Sequence, residues 1–342
     1  MIKIKFENLL VSIVVSVVVF FNTISTTMLD RTFFQVKVNF LFLVVLLLGL
    51  RFLYKMRVSY KYLILSILLL LSGVLVYFQT NRLNFLVYSM LLVLLVNVDM
   101  KVVLRNYVVV AGILVVGVFL LSLVGMVPNL QYNRAGVIRN SFGFIYPTDF
   151  ASHCFYLFLA ISYLLKDKFI WTRSLFGVLL SAFIIKYCDA RLNALSILLA
   201  TVIFIYFYYS NGKKLKIFAL LPYSAVVFAS IITYLSYKFS WSDPFLVSIN
   251  KLITGRLALG RNAFDTESVI GYNYVDSSYV QMLFTYGIVP VVLLIIIYVV
   301  ASRKQYKDGQ YLFVAILSLI AFNCMIEAFW FVPTYNIFMF LL

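Results

Sequence analysis

Whatever chemistry this chain performs rests on a few arginines and an even smaller set of titratable groups. Arg134, Arg139, Arg191, Arg256 and Arg261 all lie beside or just outside long apolar runs. A guanidinium stays charged at any physiological pH, and its fork of donors matches phosphate oxygens. Arg191 is the sharpest case, because it opens the run 192–210 directly after the polar step Lys186-Tyr187-Cys188-Asp189. Its ordinary alternative is snorkelling to an interface or pairing with Asp189. Asp276 stands where a polar stretch enters the run 278–300. A carboxylate there suits a general base, and equally a helix N-cap. His153, the single histidine, follows Asp149 by one helical turn, so the pair can poise an imidazole or simply be buried together. Glu327 lies near the end of the last long apolar run, where it needs a polar cavity, a cation or an ion-pair partner. Asp265-Thr266-Glu267 has carboxylates at a spacing that could hold a hard cation, but the pattern is common, and no metal and no cofactor are expected. Walker A, dinucleotide, H-E-x-x-H and G-x-S-x-G signatures are absent.

The elements that must position these groups are membrane helices. Of 342 residues, 64% are apolar and only 12% charged, and the mean hydropathy is +1.03. A crossing helix needs about 20 apolar residues. The composition therefore predicts an all-α polytopic transmembrane helical bundle of about 11 spans (10–12), a single integral membrane domain over 1–342. It excludes a soluble enzyme, a disordered chain and a disulfide-stapled secreted module. Apolar runs predict spans at 9–29, 38–50, 62–78, 84–98, 107–127, 149–165, 174–187, 192–210, 217–237, 278–300 and 311–329, with 334–342 too short to cross. Cys154, Cys188 and Cys324 lie in or beside these runs without ligand spacing and read as small buried hydrophobes. The net charge of +16 reads as basic anchoring at the bilayer rather than nucleic-acid binding.

Lys and Arg set the orientation. With the N-terminus cytoplasmic, most of the 28 basic residues fall inside, and the 12 acidic residues show the opposite bias. Two longer loops, about 128–148 and 238–277, then face outward. In the second, Asp243-Pro244 is a helix-start signal, and Leu246, Ile249, Ile253 and Leu257 share one face, so an interfacial helix is expected there. Gly255 and Gly260 let the backbone bend beyond it.

These residues, in this order, resemble the Wzy-type polysaccharide repeat-unit polymerases and the related O-antigen ligases. Arg139 with Gly143-Phe144 and Tyr146-Pro147-Thr148-Asp149 is similar to the family's Arg…Gly-Phe…His-Pro-Asn stretch, with Tyr146 in place of the histidine. Asp189-Ala190-Arg191 resembles its Ser-Arg step, and Thr254-Gly255-Arg256 its Gly-Arg element. Asp276-Ser277-Ser278-Tyr279 followed by Tyr286-Gly287 resembles the Asp-Asn-x-Tyr…Tyr-Gly pattern of capsule polymerases. The ligases carry a histidine near that point, so Asp276 favours a polymerase. Glu327…Pro333-Thr334-Tyr335-Asn336 is similar to the polymerase ending.

The resemblance implies a membrane glycosyltransferase of capsule, exopolysaccharide or O-antigen biosynthesis in the bacterial cytoplasmic membrane, with its site facing outward. It implies a growing glycan on a polyprenyl (undecaprenyl) diphosphate as donor and a second lipid-linked repeat unit as acceptor. The lipid bilayer, a flippase and a chain-length regulator are the implied partners, and nucleic acid is not. Arg191 and Arg256, with Arg139, would hold the diphosphate, and Arg261 and Tyr279 would contact substrate. Asp276 would be the base, with His153 and Glu327 behind it, and Tyr272, Tyr274 and Tyr279 would line the sugar path. Two other classes remain open. One is a polyprenyl-phosphate-sugar glycosyltransferase using Asp30 in Asp30-Arg31. The other is a flippase or transporter for lipid-linked oligosaccharide, which would carry charges deep within several spans.

Overall fold

The computed structural model describes residues 2–29, 60–96, 98–134, 136–166, 168–210, 216–266 and 275–342. The expected span 38–50, Asp30-Arg31, Glu267, Tyr272 and Tyr274 lie outside them. Among the described residues the chain is helical apart from one small hairpin. The α-helices are α1 (Ile2–Ile24), α2 (Tyr60–Thr80), α3 (Asn84–Leu94), α4 (Met100–Leu123), α5 (Pro147–Leu165), α6 (Ile170–Cys188), α7 (Arg191–Tyr209), α8 (Ser224–Lys238), α9 (Pro244–Leu252), α10 (Arg256–Asp265), α11 (Ser278–Tyr286), α12 (Ile288–Lys307) and α13 (Tyr311–Asn323). Strands β1 (Gln131–Arg134) and β2 (Val137–Asn140) pair antiparallel, with Tyr132 opposite Arg139.

Seven helical segments are long and apolar enough to cross a membrane: Tyr62–Thr80, Met100–Leu123, Pro147–Leu165, Ile170–Cys188, Arg191–Tyr209, Lys216–Lys238 and Ile288–Lys307. In an apolar solvent a helix satisfies its own backbone, so apolar runs of this length become helices whatever their local propensities. Several of them leave large apolar side chains uncovered, among them Leu75, Phe78, Ile113 and Val202, as a lipid-facing surface requires.

Three expected spans differ. The run 278–300 is two helices, because Gly287 adopts φ 86°, ψ 170° and ends α11. The run 311–329 is helical only to Asn323. Beyond it the chain folds back onto the start of α11: Ser278 N–H donates to the carbonyls of Cys324 (3.0 Å) and Glu327 (3.2 Å), and Trp330 N–H donates to Ser278 Oγ (3.0 Å). The run 84–98 is helical only over Asn84–Leu94. Its Phe85 is fully buried against Tyr286 and Phe331, at ring distances of 4.6 and 5.4 Å.

The described chain divides into two compact units, each with its own core. One comprises 1–56, 94–213 and 332–341; the other comprises 57–93, 214–331 and 342. In the first, α1 packs on α4, α4 on α5, α5 on α7, and α6 on α7. The segment 334–342, expected to be too short to cross, forms a short 3-10 helix at Ile337–Leu341 whose residues are all buried here. Tyr107 hydroxyl donates to the carbonyls of Thr334 and Tyr335 and holds the segment in place. In the second unit, α8 packs against α10 and α13, and α12 against α2 and α11.

Candidate functional site

The sequence-selected charges gather at two places, one in each unit. In the first, α6 ends at Cys188, Asp189 turns the chain in a left-handed conformation (φ 45°, ψ 40°), and α7 starts at Arg191. The last carbonyls of a helix lack partners within it and form the negative end of its dipole. Here the hairpin supplies the donors. Asn140 Nδ2 donates to Tyr187 O (3.4 Å), Arg139 Nε to Cys188 O (2.8 Å), and Arg134 Nη2 to Asp189 O (2.7 Å). Arg134 also pairs with the Asp189 carboxylate, and Arg191 Nε donates to Asp189 Oδ1 at 2.9 Å.

Arg139, expected as a phosphate ligand, commits its Nε to capping this helix. The pairing of Arg191 with Asp189, weighed above as its ordinary alternative, is present. Even so, the Arg191 side chain is 65% exposed, against 9% for Asp189. One edge of the guanidinium anchors it at the start of a helix, and the remainder stays open to an anion.

Burial raises the affinity of the Asp189 carboxyl for its proton. The hydrogen bonds and charges of Arg191 and Arg134 outweigh burial, so the group lies below its ordinary value. A depressed carboxyl stabilises the fold above its unfolded value, and that stability is lost as pH falls through the folded value. The hairpin is therefore expected to loosen below about pH 4. Protection of the Tyr132 and Arg139 amides, relative to free amides at the same pH, should fall in acid, and in Asp189→Asn it should already be low at neutral pH.

In the second unit, Asp243 caps α9 by accepting from Phe245 N (2.9 Å) and Leu246 N (3.2 Å), and Pro244 fills the first turn, as expected. The apolar face predicted to run on to Leu257 is interrupted after α9, because Thr254 (φ 56°) and Gly255 (φ 89°) are both left-handed. That reversal starts α10 at Arg256. Its N-terminal donors are satisfied from outside the helix: the buried Asn250 Oδ1 accepts from Leu257 N (3.0 Å) and Ala258 N (3.1 Å). Gly260 faces Ser236 so closely that an added Cβ would lie 2.6 Å from the serine Cβ, which seats α10 on α8.

Arg256 is thus held at the first position of a capped helix, with only 11% of its side chain exposed. Nη1 donates to Thr254 O (3.1 Å) and to Thr254 Oγ1, and Nη2 meets Asp276 Oδ2 at 3.1 Å. Arg256 Nε is buried without a partner among the described residues. Asp276 is 28% exposed and is not the cap of α11, a position held by Ser277. The sequence-selected base and one sequence-selected cation therefore meet across a stretch of loop. Asn250→Ala removes the cap of α10 and should cost about 1–2 kcal/mol. Thermal unfolding in detergent would show this as a lowered midpoint, whereas Asn262→Ala, exposed on the same helix, should leave the midpoint in place.

The remaining sequence-selected residues lie elsewhere. Arg261 pairs with Asp265 (2.7 Å) and donates to Tyr237 O. Tyr279 is buried, with its hydroxyl donated to Ala321 O (2.9 Å) and its ring 5.1 Å from Trp330. It packs the core and does not line a sugar path. Glu327 is buried where its backbone receives Ser278.

His153 is fully buried and does not pair with Asp149. Thr26 hydroxyl donates to Thr23 O (2.7 Å), so His153 Nε2, 3.0 Å from that hydroxyl, is the donor between them. Asp149 instead accepts from Tyr335 hydroxyl (2.9 Å), whose ring lies 4.4 Å from the imidazole. His153 belongs to the core of its unit and is poorly placed to act as a base. Asn250 was not singled out in the sequence, and Tyr335 only as part of the ending Pro333-Thr334-Tyr335-Asn336. Asn250 lies at the end of a short helix, six residues before Arg256, which is a capping signal only once the left-handed turn is known.

Arg191 and Arg256, both assigned to the diphosphate, fall in different units. No protein-family model matches this chain, and no curated protein or solved structure matches it at a significant level.

Proposed function

We propose that the chain is a polymerase of polyprenyl-diphosphate-linked oligosaccharide repeat units, resident in the bacterial cytoplasmic membrane with its N-terminus inside and Arg256 and Asp276 facing outward. The Arg256–Asp276 pair carries the reading. Glycosyl transfer from a lipid diphosphate needs a fixed positive charge where the leaving group gathers electrons, and a carboxylate for the proton of the attacking hydroxyl. Arg256 is held by Thr254 O and Oγ1 and by its place at a helix start, so it does not reorganise as charge develops.

In the resting state Arg256 and Asp276 neutralise each other. An arriving diphosphate competes for the guanidinium and releases the carboxylate. The acceptor oxygen then bonds to the anomeric carbon, and the bond from that carbon to the diphosphate oxygen breaks. The lipid diphosphate leaves with the electron pair, and the hydroxyl proton passes to Asp276. Arg191, on the other unit, is a second anion-binding position. A flippase and a chain-length regulator are the partners this reaction calls for.

The test is to give purified protein a defined lipid-diphosphate oligosaccharide in detergent and size the product. A ladder of repeat units is expected. Detergent has no sides, so a flippase leaves the substrate unextended, and unextended substrate overturns the reading.

A further inference from the structure

Beyond the reacting groups, the second unit has a groove of about 510 Å³ between the end of α8 and α10. Its aromatic lining includes Trp241, which is 72% exposed, and the exposed Tyr237. Lys238, Ser240, Arg261, Asn262 and Asp265 supply polar and charged groups, with the Lys238 ammonium 5.6 Å from the Tyr237 ring. Trp241 is propped edge-on by the buried Phe239, at a ring distance of 5.1 Å. Arg261 grips Asp265 through two bonds, Nε–Oδ2 at 2.9 Å and Nη2–Oδ1 at 2.7 Å.

We infer that this groove is a subsite for a sugar of the glycan being built, with Trp241 as its stacking platform. The volume falls within the roughly 300–1,000 Å³ typical of small-ligand pockets. An acyl chain would leave Asn262 and the Arg261–Asp265 pair unmatched, at the cost of desolvating them. A phosphate would meet the Asp265 carboxylate, and Asp265 holds Arg261 through two bonds where Asp276 meets Arg256 through one, which leaves Lys238 alone to receive it. A pyranose suits both kinds of lining: its C–H face covers an aromatic ring, and its hydroxyls both donate to a carboxylate and accept from an amide. Tyr237 and Trp241 have few side-chain torsions, so little freedom is lost on binding. The identity of the ligand as this chain's own glycan rests on the polymerase reading.

The experiment uses full-length protein in lipid nanodiscs and oligosaccharides of one to three repeat units, cut from the surface polysaccharide of the cell that encodes the chain. Saturation-transfer NMR reads binding, and the extension assay is run in parallel. Wild type should bind. Trp241→Ala and Asn262→Ala should each weaken binding about tenfold, equivalent to about 1.4 kcal/mol, while Trp241→Tyr, which keeps a stacking face, stays near wild type. The two alanine variants should raise the KM for acceptor more than they lower kcat. No binding by wild type, or equal binding by wild type and both alanine variants, overturns the subsite. Quenching of Trp241 by brominated lipid without any response to sugar overturns it too, by making the residue an interfacial anchor. Binding that depends on Trp241 in a protein that extends nothing overturns the polymerase reading and leaves the subsite standing. Extension with unaltered kinetics in the two variants does the reverse.

Discussion

Arg256→Ala should slow chain extension by about 10²–10³-fold, the usual effect of removing one preorganised group from a developing negative charge. Asp276→Asn should slow it by about 10²–10⁴-fold, the range for a general base. Neither substitution should prevent folding. Asp276 is 28% exposed and can be solvated when its partner is removed, and asparagine keeps the shape of the carboxylate. The double variant should be little worse than the poorer single one, because groups that act as a unit lose their function together. Arg256→Lys keeps the charge but not the fork that reaches Thr254 and Asp276 at once, so it should recover only part of the rate. The measurement is the initial rate of product growth, with unfolding midpoints recorded for every variant. Full activity in Arg256→Ala with an unchanged midpoint would remove the observation on which the proposed reaction stands.

Gly143→Ala should be among the most destabilising single substitutions in the first unit. Gly143 has φ 84°, a region an alanine enters only under strain. Its Cβ would lie 2.8 Å from Val118 Cγ1 and 3.1 Å from Val118 O, and a backbone oxygen in a long helix cannot step aside. The same residue ties two segments together. Met28 N–H donates to Gly143 O (2.8 Å), and Ile145 N–H donates to Thr26 O (2.9 Å). Strain and overpacking each cost about 1–3 kcal/mol, so a loss of about 3 kcal/mol is expected. Gly136→Ala is the control: φ is 83° there too, but nothing lies within 4 Å of the added carbon, so only about 1 kcal/mol should be lost. Thermal unfolding of the two variants in the same detergent separates steric exclusion from backbone strain. Equal midpoints would refute the close packing of Gly143 on α4.

Helical runs were legible because a hydrocarbon environment leaves an apolar stretch few other ways to satisfy its backbone. The runs around 62–78, 107–127, 149–165, 174–187 and 192–210 all appear as α-helices close to their expected places, and 217–237 as a 3-10 stretch to Tyr223 followed by α8. The start of α9 was equally legible, since Asp243 and Pro244 act on the backbone within one turn. Endings were harder to read. Whether 311–329 continued past Asn323 depended on Ser278, far away in the chain, claiming the carbonyls of Cys324 and Glu327.

Sequence alone determined that this is a helical chain suited to a membrane, that its charges sit at helix ends, and that Arg191, Arg256 and Asp276 stand apart from ordinary lipid-facing residues. Composition and one-turn spacing suffice for that, because burial in lipid and capping are local demands. Tertiary structure decided which acceptor each arginine meets. Arg139 turned to a helix carbonyl and Arg256 to Asp276, His153 sank into a core, and Trp241 and Asn262 came to line one groove. A guanidinium binds whichever acceptor the fold brings within about 3 Å, and that depends on how distant helices pack, which no spacing along the chain records.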